Sequence, residues 1–364
     1  MPRYRLASGG SIVVDSDPFD NGGEGEIYKV QKAPGPAENA SALVAKIYHD
    51  SYGDRERLRG KLKSMLRLGP PGPKGTSWFA WPEDLLLDTG GHLAGYVMPK
   101  IEGPTYYCLM RPKRRAHDQP DLGRDGIYVV ALNLAHAIHM LHAEGHAVGD
   151  MRPVDLIVTP NGVSFVDCDS FQIRDCTRGK LYRCPVGRPE YTAPEYQRGS
   201  SRSRQQSAQQ AADRFTLGIL IFRLLMAGEH PFAGDYGRGR GNEIDRHIEL
   251  GQWPYSKSTS PEPREGTMPL DLLPPLLQEE FRRCFVDGHS RPDRRPSARR
   301  WRTVIERARR RLQKCPNGHS YSSHLGRCPW CKGSSSNTGS LPDCPNSSGP
   351  TYNLLDFDGT SFFG

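Results

Sequence analysis

His146-Ala147-Val148-Gly149-Asp150-Met151-Arg152-Pro153-Val154-Asp155-Leu156-Ile157-Val158, followed shortly by Phe165-Val166-Asp167-Cys168-Asp169, is the stretch on which the reading of this 364-residue chain turns. Two short apolar runs, DLIVTP (155–160) and VSFVDCD (163–169), flank Asn161-Gly162, a dipeptide suited to a tight hairpin. Acids in loops are mostly solvated. Two at this spacing, Asp155 before the hairpin and Asp167 after it, read as one site, with Asp150 just upstream.

Working outward, the first hundred residues read mainly as strands. SIVVDS, EIYKV, ALVAKIY and HLAGYVMPK are β-favouring runs, and the glycine-rich DNGGEGE separates the first two. One charged helical stretch, DRERLRGKLKSMLRL, interrupts them and ends at Gly69-Pro70-Pro71. After Gly103-Pro104 the pattern turns helical, in IYVVALNLAHAIHMLHAEG, FTLGILIFRLLMAG, LPPLLQEEFRRCF and ARRWRTVIERARRRL. SRSRQQSAQQAAD is polar and low in complexity and reads as an exposed loop before a helix. A strand-rich half followed by a helix-rich half implies two lobes meeting at a cleft.

Bulk composition bounds the function. Hydrophobic residues make up 36%, enough for a globular core. A net charge of +8 suits phosphate-bearing ligands without identifying a nucleic-acid binder. Much of that excess lies between Arg291 and Lys314, where a solvated last helix is the plainer account than a nucleic-acid surface. The N-terminus has no apolar leader, and LGILIFRLLMAG is too short to cross a bilayer and carries Arg223, so a soluble cytoplasmic protein without membrane contact is expected. The nine cysteines then read as thiols or metal ligands in preference to disulfides.

Phosphoryl transfer needs a loop over the phosphates, a lysine on them, metal-binding acids and a carboxylate beside the acceptor hydroxyl. Asp20-Asn21-Gly22-Gly23-Glu24-Gly25-Glu26-Ile27-Tyr28 resembles the glycine-rich loop of protein kinases, although a plain β-turn explains it too. Val44-Ala45-Lys46 resembles their strand lysine, the alternative being a solvated edge charge. That lysine requires a glutamate from the next helix. Glu56 is the only glutamate between Lys46 and Trp81 and is the candidate by elimination, set against a solvated helix charge. Gly149 to Leu156 resembles the catalytic loop, Phe165 to Asp169 the metal-binding D-F-G, and Val186 to Glu195 the end of the activation segment, A-P-E included. Asp213 to Gly218 resembles the start of the large buried helix, and Arg295 the arginine that pairs with Glu195.

From about residue 12 to 312 the chain is therefore similar to a protein kinase domain, and the expected class is α+β with a bilobal kinase-like fold. The resemblance implies a β-rich N-lobe and hinge over 1–103 and a helical C-lobe over 104–312. It implies transfer of the ATP γ-phosphate to Ser/Thr hydroxyls of a protein substrate, autophosphorylation included. Asp150, Arg152 and Lys46 would be catalytic. Gly22, Gly23, Gly25, Ile27, Ala45, Lys46, Glu56, Met98, Pro99, Ile101, Asp155 and Asp167 would hold the nucleotide, with Asp155 and Asp167 on Mg²⁺ or Mn²⁺. Departures at Asp20, Gly149, Arg152, Asp155 and Arg188 keep two other readings open, a nucleotide-binding pseudokinase scaffold and AMP transfer by the same fold. With Gly149 in place of the usual arginine, activation-loop phosphorylation read through that residue is not expected.

Cys315-x3-His319-x8-Cys328-x2-Cys331 places four soft or borderline ligands in under twenty residues and reads as a structural Zn²⁺ module over 313–333. Free thiols, a redox C-x-x-C, or Cys344 in place of His319 are the alternatives. The tail, 334–364, reads as disordered. The whole arrangement resembles bacterial kinases carrying a C-terminal zinc ribbon, some of them associated with a von Willebrand A-type protein and a PP2C-type phosphatase, which suggests those partners.

Overall fold

The computed structural model describes residues 1–35, 40–184, 187–197, 206–236, 243–256 and 261–331. The expected tail (334–364), the alternative ligand Cys344 and Val186 of the activation segment lie outside the described residues.

Seven antiparallel strands occupy the first hundred residues: β1 (Arg3–Leu6), β2 (Ser11–Val14), β3 (Asp20–Asn21), β4 (Gly25–Lys32), β5 (Leu43–Tyr48), β6 (Asp84–Leu87) and β7 (Leu93–Pro99). Their order is β2-β1-β6-β7-β5-β4-β3, and β2 also pairs with β4 through Val13↔Lys32 and Val14↔Val30. The sheet therefore closes on itself as a barrel, which removes its long free edges. The strand runs read from sequence did not reveal this closure. It depends on β1 (RYRL), whose alternation spans only four residues, and β6 (DLLL), which does not alternate. Ile12, Val14, Val30, Ala45, Leu86 and Val97 fill the interior. Alternation on β5 turns Ala45 into the barrel, while Val44 and Tyr48 join the main core on the opposite face, the face that also carries Lys46.

Between β5 and β6 runs α1 (Arg55–Leu68). Asp54 caps it, its carboxylate accepting from the Arg57 amide at 2.9 Å, and Gly69 ends it at φ +76°. The chain leaves β7 past Gly103, where a Cβ would lie 2.3 Å from the Val158 carbonyl oxygen, and enters the helical half.

That half contains α2 (Tyr106–Met110), α3 (Pro112–Asp118), α4 (Arg124–Ala143), α5 (Pro194–Gln197), α6 (Gln206–Leu225), α7 (Ile244–Leu250), α8 (Pro275–Arg282) and α9 (Ala298–Arg309). The polar stretch expected as a loop is partly helix: α6 already begins at Gln206, and Gln209, Ala211 and Ala212 are buried on it. Alanine and glutamine favour helix, and tertiary burial decides the rest. By length and apolarity α4 resembles a membrane span, but most of it is buried against α6 and α9 inside the protein. Phe215, Phe222, Phe281, Phe285 and Trp301 pack in the same core, mostly edge-to-face or tilted, with Phe281 and Phe285 stacked. β8 (Leu156–Thr159) and β9 (Gly162–Phe165) form the expected hairpin around Asn161-Gly162, with Gly162 at φ +138°. β10 (Ile173–Asp175) and β11 (Lys180–Tyr182) form a second hairpin against α1, and β12 (Leu312–Lys314) and β13 (Ser320–Ser322) a third, directly after α9.

Candidate active site and metal centre

A cleft of about 850 Å³ lies between the barrel and the helical half. The glycine-rich turn forms its roof. β3 pairs with β4, and the Gly22 amide closes the turn onto the Gly25 carbonyl at 2.9 Å. Gly25 is required by packing, because a Cβ there would meet the Ile47 carbonyl oxygen of β5 at 2.4 Å. Gly23 faces open space, so its backbone can be approached closely. Val44, Ile27, Met98, Ile157 and Val166 make an apolar lining, with Pro99 and Ile101 along the connection from β7. Ala45, expected at the nucleotide, is turned into the barrel interior instead.

At the back of the cleft Lys46 is 4% exposed and is held by two carboxylates. Its ammonium donates to Asp167 and to both oxygens of Asp169, each at 2.9 Å, with Glu24 3.8 Å away. Tyr48 and Tyr96 donate their hydroxyls to the same Asp169 carboxylate at 2.6 and 2.7 Å. Burial would lower the Lys46 pKa, but Asp169 and Asp167 outweigh it and hold the ammonium above its ordinary range. Burial raises Asp167 despite Lys46 beside it. For Asp169, burial is overcome by Lys46 and the donated hydroxyls, which keep it below the usual carboxylate range.

Glu56 does not reach this cluster. It projects into water with its side chain 85% exposed, and among the described residues its ion pair is with Arg59, at 3.8 Å. The inward face of α1 carries Leu58, Lys61, Leu62 and Met65, so the residue that helical periodicity aims at the cleft is a lysine. Lys61 donates to the Asp169 backbone carbonyl at 2.5 Å, and burial pushes its pKa down to about 8. Elimination by residue type chose Glu56; the geometry overturns that choice. Asp169, Lys61, Tyr48, Tyr96 and Glu24 were missing from the sequence-derived site. A legible signal existed for one of them, since Lys61 lies on the same helical stripe as Leu58, Leu62 and Met65.

The loop below is anchored through Asp213, buried two turns into α6. It accepts from the amides of Val148 (2.8 Å) and Gly149 (2.9 Å) and from His142 (2.9 Å). Gly149 adopts φ +85°, and a Cβ there would sit 2.5 Å from that of Cys184, so only glycine fits. Asp150 lines the cleft floor and accepts from the Arg188 amide at 3.3 Å. Arg152, expected to be catalytic, and Asp155, expected on the metal, form one bidentate pair at 2.5 and 2.8 Å. Burial pushes the Asp155 pKa up to about 6 against the pull of Arg152. Asp167 adopts the left-handed region at φ +64°, a costly backbone for a non-glycine residue. Arg188 is exposed at the mouth of the cleft. The expected Glu195–Arg295 pair is made, bidentate at 2.6 and 2.7 Å, with the arginine fully buried.

The second cluster lies after α9. The donor atoms of Cys315, His319, Cys328 and Cys331 are all within 4.8 Å of one another. The Cys315–Cys331 sulfur separation is 3.5 Å, and His319 Nδ1 is 3.6 Å from each of the three sulfurs. A tetrahedral Zn²⁺ with ligands at about 2.0–2.3 Å places its donors roughly this far apart, so the set fits that ion. Asn317 donates to Cys331 Sγ at 3.3 Å, an outer contact that orients the ligand. The module leans on the helical half through Arg124 over the Trp330 ring at 5.2 Å and through His324 donating to the Asp271 carbonyl at 2.9 Å.

No family model matches the chain. It is 30% identical over 336 residues to protein kinase YegI of Escherichia coli K12, covering 88% of this chain and 48% of that protein. It is 29% identical over 214 residues to the serine/threonine-protein kinase PknA of Mycobacterium tuberculosis, covering 58% and 44% respectively. Citron rho-interacting kinase of Rattus norvegicus matches at 24% over 181 residues, 50% of this chain and 8% of that protein. The chain spans about half the length of YegI and PknA. What the chain resembles, over about half of their length, are proteins named as kinases.

Proposed function

We propose that the chain is a protein kinase that transfers the γ-phosphate of ATP to serine or threonine hydroxyls of a protein, its own chain included. The observation that carries this reading is convergence. Lys46, Asp150 and Asp167 come from a strand, a loop and a hairpin exit, Lys46 and Asp167 being 121 positions apart, yet all three line one cleft beneath a glycine turn. In the proposed organisation residues 1–103 and 104–312 are the two lobes, and 313–333 form a zinc ribbon.

The fit for a nucleotide is an apolar floor on one side and a fixed cation on the other. Asp167, with Asp155, would hold the divalent metal, and hard carboxylate oxygens are the donors such an ion takes. Bound there, nucleotide and metal supply the phosphoryl group and neutralise the charge that develops on it. The chain's own work is positional. Lys46 offers a fixed, dehydrated positive charge to phosphate oxygens. Asp150, oriented by the Arg188 amide, accepts the proton of the acceptor hydroxyl or holds that hydroxyl in line. Arg152, when it leaves Asp155, is the second cation within reach. The zinc ribbon holds together a segment with no core of its own. A von Willebrand A-type protein and a PP2C-type phosphatase, as partners in the cytoplasm, follow from the resemblance alone.

One observation favours a second reading. Both Asp155 oxygens are taken by Arg152, which leaves Asp167 as the less encumbered metal carboxylate and suits a scaffold that binds nucleotide without turning it over. Incubating the purified chain and its Asp167→Ala variant with ATP radiolabelled in the γ-phosphate, with Mg²⁺ and then Mn²⁺, separates the two. Label on protein from the wild type, lost in the variant, is the expected result. Thermal stabilisation by ATP without any label transfer would make the scaffold reading the correct one.

A further inference from the structure

Two buried lysines approach the same residue from opposite sides of the cleft's rear wall, Lys46 from β5 and Lys61 from α1. Helix α1 brings no carboxylate inward, since its one glutamate, Glu56, faces water. Two buried ammonium groups need acceptors, and at least one of those must be an anion. Asp169 meets both with two different groups, one charged and one neutral. Its side chain takes Lys46 through both oxygens, and its backbone carbonyl takes Lys61 at 2.5 Å. Each carboxylate oxygen receives a second hydrogen bond from a phenol, Oδ1 from Tyr96 at 2.7 Å and Oδ2 from Tyr48 at 2.6 Å. With its side chain 1% exposed, Asp169 faces inward and has no route to substrate. Cys168–Ser170 is a single 3₁₀ turn, a backbone that accepts a side chain at the middle position without strain.

We propose that Asp169 is the positioning residue for Lys46, doing from the hairpin exit what a helix carboxylate would otherwise do from α1. The proposal rests on the nucleotide cleft described above. It has a mechanical consequence. Asp167 and Asp169 ride on one turn, so the cleft carboxylate and the anchor of the lysine move as a unit, and Lys61 ties α1 to the same turn. A shift of that turn would disable both at once. Without Asp169, Lys46 is left to Asp167, with Glu24 3.8 Å away, and is drawn toward the cleft carboxylates, away from the place a phosphate would occupy.

The test uses the full chain and three variants, Asp169→Asn, Tyr96→Phe and Glu56→Gln, titrated with metal-free ADP by calorimetry and then assayed for KM and kcat with ATP. Losing one charged hydrogen-bonded contact predicts about a tenfold weaker ADP affinity and a comparable rise in KM for Asp169→Asn. Tyr96→Phe, which keeps the ring in the core, should weaken ADP about threefold, and Glu56→Gln should match the wild type. A residue that merely supports the fold would lower the melting temperature and leave the affinity of the folded protein unchanged. Folded Asp169→Asn with wild-type ADP affinity overturns the proposal. If Asp169→Asn does not fold, Tyr48→Phe/Tyr96→Phe carries the test, and unchanged affinity there overturns it equally. A wild type that binds ADP yet transfers no phosphate sinks the proposed activity, while the affinities still decide the role of Asp169. A wild type that binds no ADP overturns both.

Discussion

The cleft and the Cys/His cluster are both small polar sites, and they are held in opposite ways. The cleft is assembled from residues far apart in sequence, Lys46 and Asp169 being 123 positions apart, and is fixed by the core around it: the two keep their places because strands, α1 and a hairpin pack around them. The cluster draws all four donors from Cys315 to Cys331, and among the described residues none of the four belongs to a hydrophobic core cluster. Its three sulfurs, on partly buried cysteines, are brought within 3.6 Å of one imidazole nitrogen. One site is a product of the fold. The other is a local convergence of donors that could hold an ion.

If that contrast is right, the largest effect should come from removing the cleft's charges. Asp150→Asn and Asp167→Ala should each cut phosphate transfer by about 10²–10³-fold or more while leaving zinc content unchanged, as rate assays and metal analysis on the same samples would register. Loss of zinc alongside activity would show that the two regions are coupled and break the comparison.

Next in size is removal of the ion. Cys328→Ser, or a chelator, should strip the metal and expose residues 313–331 to protease, with the main melting transition moving by no more than about 2 °C, the equivalent of roughly 1 kcal/mol or less in a chain of this size. A collapse of the main transition would mean that Arg124–Trp330 and His324–Asp271 matter far more than their geometry implies.

Acid should separate the regions by mechanism. The cluster loses its ion as its ligands protonate. The helical half loses stability through buried neutral histidines. His146 accepts from the Arg174 amide at 3.1 Å and so holds a ring nitrogen unprotonated, and burial pushes its pKa down to about 4. A depressed folded pKa means that the unfolded chain binds the extra proton between about pH 6.5 and 4. The histidine's contribution is therefore complete above 6.5 and is lost as pH falls through 4, by up to about 3 kcal/mol. Urea unfolding of wild type and His146→Gln at pH 7 and 4.5 should show a shallower pH slope for the variant. Parallel slopes would assign the acid sensitivity elsewhere.

The smallest effect is expected at Glu56. Replacing this exposed residue by alanine should change stability by no more than about 0.5 kcal/mol and leave KM for ATP where it was. A large rise in KM would return Glu56 to the cleft and undo the account of Asp169.

The same contrast explains what could be read from the sequence. The metal cluster is a local pattern, so spacing alone named all four residues that converge. Kinase-like segments were legible where a short string carries the signal, as at Gly149 to Leu156 or Arg295, whose partner Glu195 was also foreseen. The lysine's partner was not legible, because which carboxylate meets a strand lysine is settled by helix phase and hairpin placement, and composition pointed to the wrong acid. Barrel closure escaped for a related reason: β1 and β6 are four residues each and become strands through their neighbours.

The most direct test of the central claim compares ATP labelled in the α-phosphate with ATP labelled in the γ-phosphate, each incubated with the full chain, a divalent metal and a generic protein acceptor. The account predicts that label reaches serine or threonine from the γ-position only. Label arriving from the α-position would mean nucleotidyl transfer, and label from neither position, despite measurable ATP binding, would mean a scaffold; either result contradicts a working protein kinase.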